Sequence, residues 1–589
     1  MTFIPNLRTK TLEESYVQSK IDVLVNYRTV LTDAERAGKL VTDIPDAASR
    51  KVAVVGTGPA GIVAAYELLR LGVDIDIFST DRESLRYGRC FSHLFEDDVS
   101  YIAEMGAMRF PPSEAGLFYY LDKFDIPYNS KFPDPGKVDT LLYVNGKSFE
   151  WKAGQPAPSL FDTVTKGLDA LIAEDTRLAD RTVLTSPKTM TTNMVAGDFD
   201  LASTQWQQWI DHFEHLSFGA GLSVIFQLNP NAPGGARWTD DDMALFGTIG
   251  VGSGGFGPLY SVQFLEIFRL FVNELETDQQ FIPSGIGSVF EAMATTDVAG
   301  VSVLDRHIDK NIASIEPSSE RKLKLTTGSG DAFHYDRVIW AAPKWASQTN
   351  SNLVSFIESV TESLPPGAPT VASAVAEMHT INSSKAFILT EDKFWLNNEG
   401  MPANIQSDTL IRGLYCLDYT PDESPDGRGV VLLSYTWQDD SAKQIALPTD
   451  KETRIKTLVE DVKRIDPDFA AHLVPRDGDY DKYTIFIDWM NEPNYHGAFK
   501  LNHPKQDRLL QRSYAFYLQA GTPDDPYLYL AGDDVSYMGG WSEGAIETAI
   551  NAVCAAGVSL GGTAVNDAVF SPAAVNYDYR VYRPEDSVR

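Results

Sequence analysis

Short apolar runs rich in β-branched residues alternate with amphipathic stretches along most of this chain. In KVAVV (51–55) every residue after Lys51 is apolar, the pattern of a parallel strand covered on both faces. GTGPAG, a helical stretch IVAAYELLRLG and a second strand, DIDIF, follow it, so the order is strand, glycine turn, helix, strand. Before this unit, Leu12, Tyr16, Ile21, Leu24 and Leu31 recur at roughly helical spacing and predict a helix over 11–40. From 160 to 280 the spacing becomes helical: SLFDTVTKGLDALIAE, TQWQQWIDHFEHLSF and YSVQFLEIFRLFVNEL. Strands are predicted again at VSVL (301–304), KLKLTT (322–327), RVIWAAP (337–343), KAFILT (385–390), LIRGLYCLDY (410–419) and GVVLLSYTW (429–437). YLYLAG (527–532) predicts a last buried strand that runs through DDVSYMGGWSEG into a helix, AIETAINAVCAAG.

The glycine turn carries the first chemistry. Gly56, Gly58 and Gly61 form G-x-G-x-x-G between a strand and a helix. The first glycine allows the tight turn, the second lets backbone approach a pyrophosphate, and the third lets helix and strand pack closely. The acid that would take the ribose hydroxyls at the end of the second strand is replaced by Ser79; Asp81, Glu83 or water can substitute. Arg82 nearby invites an NADP reading, since an arginine can meet a 2′-phosphate; the alternative is an exposed loop arginine.

Composition narrows the class. At 589 residues, with ~100–200 per domain, two to four units are expected. A net charge of −31 argues against nucleic acid or an anionic membrane as partner. It also means that a site for an anion must supply its own positive charge. Three cysteines without metal-ligand spacing exclude a disulfide framework and fit a reducing compartment. There is no signal-peptide pattern and no apolar run near the ~20 residues that span a bilayer, so a cytoplasmic protein is expected. P-loop and H-E-x-x-H motifs are absent, and no metal site is expected.

Four further motifs occur in order: YGR (87–89), EMGAMRFP (104–111), SSKAFILTEDKFW (383–395) and AGDDVSYMGGWSEGA (531–545). With the glycine turn they resemble the flavin amine oxidases, and within them the L-amino-acid oxidases and bacterial amino-acid monooxygenases, over about Lys51 to Gly557. The resemblance implies an α/β fold: a Rossmann-type FAD-binding domain (the amine-oxidase fold), a strand-rich substrate domain and a helical insertion. The expected division is an N-terminal helical extension (1–50), FAD-binding segments (51–112, 281–345 and 506–589, the last with a C-terminal tail), substrate-domain segments (113–160 and 346–505) and a helical domain (161–280). It implies non-covalent FAD held by Gly56, Gly58, Gly61, Arg89 at the pyrophosphate, Gly106, Ala107 and Met108 past the ring, Ile312 on the adenine side, and Gly532 with Asp533 at the ribityl chain. Arg109 would bind the substrate carboxylate with Tyr415, the Gly540 carbonyl would hold the amine, Trp541 and Trp437 would wall the pocket, and Lys385 would act as the catalytic lysine that holds a water at the flavin.

The expectation that follows is an L-amino-acid oxidase acting on large neutral and aromatic L-amino acids with molecular oxygen, giving 2-oxo acid, ammonia and hydrogen peroxide. An amino-acid monooxygenase giving the amide is the alternative, and a non-catalytic flavin-binding protein the remote one. A homodimer or higher homo-oligomer is expected.

Overall fold

The structure, a computed structural model, describes residues 17–80, 86–95, 101–250, 255–361, 370–419 and 427–571. Leu12, Tyr16, Asp81, Arg82 and Glu83 lie outside them. Two sheets organise it. The first is a five-stranded, all-parallel sheet in the order His307–Asp309, Asp74–Ser79, Lys51–Val55, Arg337–Trp340, Leu528–Leu530. Its apolar runs are long enough to be covered twice. On one face lie the helices Pro59–Leu71 and Ser542–Ser559, which share a core with Val52, Val54, Ile75 and Ile77. On the other face, Ala53, Val55, Phe78, Val338 and Trp340 pack with Leu353, Phe356 and Val375.

The second sheet is mixed and seven-stranded, in the order Thr484–Asp488, Ser383–Thr390, Gly429–Trp437, Gly413–Leu417, Asn404–Ser407, Thr140–Val144, Lys147–Trp151. The helix Lys451–Ile465 covers one face through Ile455, Leu458 and Val462, against Ile388, Leu414 and Val431. Helices Phe199–Phe213 and Phe264–Val272 hold an aromatic stack, with Trp209 and Phe268 ring centroids 4.1 Å apart. That stack is the centre of a separate helical core.

Two sequence expectations fail for identifiable reasons. The helix predicted over 11–40 exists only at Tyr27–Ala37, where the Asn26 side chain accepts the Thr29 N–H as a cap. Residues 17–26 form a buried strap instead. Val17 and Ile21 belong to the helical core while Val23 and Val25 belong to the nucleotide-sheet core, so one helix face does not serve both. The strand predicted at VSVL is a turn: Ser302 N and Oγ both donate to the Asp305 carboxylate, and Leu304–Arg306 closes as a 3₁₀ turn. Local side-chain bonding outcompetes β-propensity there, and the strand that joins the sheet is the next one, His307–Asp309. Among the described residues, no helix is long and apolar enough to cross a membrane.

Candidate functional site

A large cavity opens where the carboxyl ends of the parallel strands meet the mixed sheet and the helix Phe264–Val272. Together with the open space at its mouth it spans about 2060 Å³.

The glycine turn forms one wall. Gly56 has φ +109°, and a Cβ there would sit 2.8 Å from the Ala342 nitrogen. At Gly61 it would sit 1.9 Å from the Gly56 carbonyl oxygen, so helix and turn touch only because neither carries a side chain. Gly58 caps the helix Pro59–Leu71, whose N–H groups and dipole face the cavity end where a phosphate would lie. Gly88 makes the close approach, with a built Cβ 2.8 Å from the Gly58 Cα; Tyr87, where the related motif has glycine, takes φ +50° and buries its ring. Ser79 does not wait for a ribose alone: its Oγ is 2.8 Å from His307 Nε2. Lys310, Asn311 and Ile312 line the same end of the cavity.

Arg89 is ordered by its neighbours. It donates to Asp533 Oδ1 at 2.6 Å and to the Ala498 carbonyl at 2.7 Å. Asp533 also accepts the Gly540 N–H at 3.3 Å, while Asp534 turns the other way, to the buried Lys344. The EMGAMR segment passes directly beneath Arg89. The Ala107 N–H donates to the Arg89 carbonyl, and a Cβ at Gly106 would sit 1.8 Å from that oxygen. Gly106, Ala107, Met108, Gly532, Asp533, Gly540 and Trp541 all line the cavity. These glycine-lined walls, with an arginine and a helix N-terminus at one end, fit a flavin dinucleotide.

Beyond them lies the chemistry-bearing end. Lys385 is buried in the strand Ser383–Thr390, and its Nζ donates to the carbonyls of Glu104 (3.0 Å) and Gly106 (2.5 Å). Burial pulls its pKa down to about 7, with Arg109 adding to the effect and Glu104 opposing it. Arg109 stays charged. Burial works against the charge, but Glu276 and the Tyr415 and Tyr435 hydroxyls more than offset it. Its NH1 donates to Glu276 Oε2 at 3.3 Å. Glu104 takes Ser92 Oγ and the Ile286 N–H instead of Arg109.

One expected substrate residue stands apart from the large cavity. Tyr415 is buried beside Phe132, ring centroids 5.7 Å apart, and does not line the large cavity; it borders a small adjoining pocket. The tyrosine on the cavity wall is Tyr435, whose ring lies 4.6 Å from Lys385 Nζ and which pairs with Lys385 across the strands. Its signal was in the sequence: Tyr435 stands two residues before Trp437 on one strand and therefore shares its face. Glu276 and Trp489, whose Nε1 donates to the Met105 carbonyl, are further wall residues that no motif marks. Phe256, Leu259, Ile267, Leu270, Trp437 and Phe499 complete an apolar, aromatic wall.

Residues 59–556 match the family described as flavin containing amine oxidoreductase. The chain is 43% identical over 545 residues to tryptophan 2-monooxygenase of Pseudomonas savastanoi, covering 92% of this chain and 95% of that protein. It is 41% identical to the tryptophan 2-monooxygenase of Pantoea agglomerans pv. gypsophilae over 95% of this chain and 98% of that one. It is also 24% identical to a phenylalanine 2-monooxygenase precursor of a Pseudomonas species, over 86% and 87%. Wild-type putrescine oxidase superposes with a TM-score of 0.57 at 16% identity, covering 86% of this chain and 98% of that one, which speaks for the fold alone. The relatives overturn the expectation of an amino-acid oxidase, because proteins this similar over nearly their whole length are named monooxygenases. The motifs are common to both branches, and so do not separate the two outcomes. By its match and its near full-length relatives, the chain belongs to the flavin-containing amine oxidoreductases, with the amine-oxidase fold and the FAD cofactor of that family.

Proposed function

We propose that the protein is an L-amino-acid 2-monooxygenase acting on tryptophan or a similar aromatic amino acid. The observation that carries this reading is its 43% identity over 545 residues to a tryptophan 2-monooxygenase. The reaction is oxidative decarboxylation: amino acid and dioxygen give the amide one carbon shorter, carbon dioxide and water. Four electrons, two from the Cα–H and N–H bonds and two from the Cα–carboxylate bond, reduce one dioxygen, whose atoms end in the amide and in water.

The Gly56–Gly61 turn, Arg89, Gly106 and Asp533 would hold FAD, which when bound accepts the substrate's electrons and hands them to dioxygen. The chain's own residues do the rest. Arg109 supplies a fixed, charged fork for the carboxylate within a strongly anionic protein. Lys385, poised near neutrality between two carbonyls, can give or take a proton at the buried end of the cavity. Tyr435 and Trp437 project from one strand beside it, and Phe256, Leu259, Phe499 and Trp541 close an apolar wall suited to an aromatic side chain. That wall also keeps bulk water away, and water attack on the oxidised substrate would divert it to a 2-oxo acid.

The test is a panel of L-amino acids with amide, 2-oxo acid and peroxide all quantified. Amide as the main product of an aromatic amino acid supports the reading. Stoichiometric 2-oxo acid and peroxide with no amide would sink it.

A further inference from the structure

The guanidinium of Arg109 is held differently from those of the buried Arg269 and Arg454. Arg269 grips Asp22 through two bonds, at 2.8 and 3.1 Å, and Arg454 grips Asp488 at 2.9 and 2.7 Å. Arg109 makes one hydrogen bond among the described residues, to Glu276, and at 3.3 Å it is longer than the ~2.7–2.9 Å of a settled charged pair. Both side chains are about nine-tenths buried and both line the cavity. Among the described residues the remaining nitrogens of the fork have no acceptor, which is the arrangement a second carboxylate needs.

Backbone fixes the two residues within reach of each other. Phe110, next to Arg109, exchanges backbone hydrogen bonds with Gln280, four residues after Glu276. The other end of the Glu276 loop is tied by the strap: Ile21 N–H donates to Asn273 Oδ1 and Val17 N–H to Glu274 Oε2. These ties hold the Glu276 backbone near Arg109, so a carboxylate displaced by a ligand is still within reach. It stays beside the arginine as a standing competitor.

We infer that Glu276 is the resident counter-ion of Arg109: it neutralises the guanidinium in the free enzyme, yields to the substrate carboxylate, and recovers the arginine when that carboxylate leaves as carbon dioxide. The second half rests on the monooxygenase reading. In an enzyme that makes a 2-oxo acid the carboxylate stays on the product. In one that makes an amide the charge Arg109 was recruited to bind disappears within the site. Beside a neutral product a buried arginine would keep only the weaker influence of Asp134, whose own carboxyl burial pushes up to about 7, and would be left under-compensated at a cost. Glu276 removes that cost and weakens the hold on the amide.

The test uses the FAD-loaded protein and two ligands that do not react: 3-indolepropionate, which is tryptophan without its amine, and indole-3-acetamide, or their phenyl counterparts if phenylalanine is the substrate. Binding is followed by titration calorimetry in wild type, Glu276→Gln and Glu276→Asp. Removing the competitor should tighten carboxylate binding by roughly tenfold or more, the scale of one charge-assisted hydrogen bond, and tighten the amide by less. Glu276→Asp, which keeps the charge, should stay near wild type. In turnover, Glu276→Gln should lower KM and kcat together, because the product now leaves slowly. Unchanged or weaker carboxylate binding in Glu276→Gln overturns the inference. The carboxylate arm reads the pairing whichever product forms, whereas a 2-oxo acid in the product assay overturns the functional reading and with it only the release half.

Discussion

A lysine amine placed between two backbone carbonyls, as Lys385 is by Glu104 and Gly106, can satisfy both with two N–H groups and still keep a lone pair when neutral. Its pKa of about 7 against an ordinary 10.5 makes both forms accessible near neutral pH. Lys385→Met should therefore erase an ionisation near 7 from the pH profile of kcat/KM; a profile unchanged in shape would show that the group does not act there. The same residue predicts a stability effect of definite sign. Between about 7 and 10.5 the unfolded chain binds the proton that the folded chain does not, so stability rises with pH across that window. Lys385→Met removes the burden, so its gain in Tm should be large at pH 6 and vanish by pH 11. Arg109→Leu deletes a charge-assisted clamp worth roughly 1.5–3 kcal/mol, so kcat/KM for amino acids should fall by one to two decades or more with FAD still bound. Full activity in that variant would remove Arg109 from the site. Arg109 and Lys385 were legible because each is an exception to its surroundings: an arginine in a glycine-rich apolar passage, a lysine opening an apolar strand. Glu276 was not, being one of 81 acidic residues with no local pattern, made distinctive only by a partner 167 positions away.

At the scale of elements, strands buried on both faces announced themselves, since Lys51–Val55, Arg337–Trp340 and Gly429–Trp437 are mostly apolar and rich in β-branched residues. The strap at 17–26 did not. Its apolar residues are shared between two cores, and its polar ones are buried for partners that only folding supplies. Asp22 is fully buried, accepting from Arg269 Nε and NH2 and from Trp206 Nε1, while Arg269 also reaches Asp507. The strap thus fastens the helix Phe264–Val272, which lines the cavity, to the C-terminal part of the fold. Asp22→Ala leaves a buried guanidinium short of a partner, and about 3–5 kcal/mol of stability should be lost in urea denaturation. A loss under about 1 kcal/mol, the size of an exposed pair, would mean the strap is incidental.

Over the whole molecule, the cavity draws its walls from positions as distant as Gly56, Ile312 and Trp541, so a bound cofactor ties the ends of the chain together. FAD should be released unmodified on denaturation, and restoring it to the apoprotein should raise stability by about 2.7 kcal/mol at a hundredfold excess over Kd; a flavin that stays with the precipitated chain would contradict this. The oxidase and monooxygenase outcomes differ in where dioxygen goes. An oxidase sends both of its atoms to peroxide and takes the oxygen of its 2-oxo acid from water. A monooxygenase keeps one of them in the product. Turnover of tryptophan under ¹⁸O₂ in ordinary water, with mass spectrometry of the products, distinguishes the two directly. A monooxygenase yields indole-3-acetamide carrying one ¹⁸O, with one carbon dioxide released per amide, and that is the expected result. Unlabelled 2-oxo acid, ammonia and doubly labelled peroxide in equal amounts would contradict it.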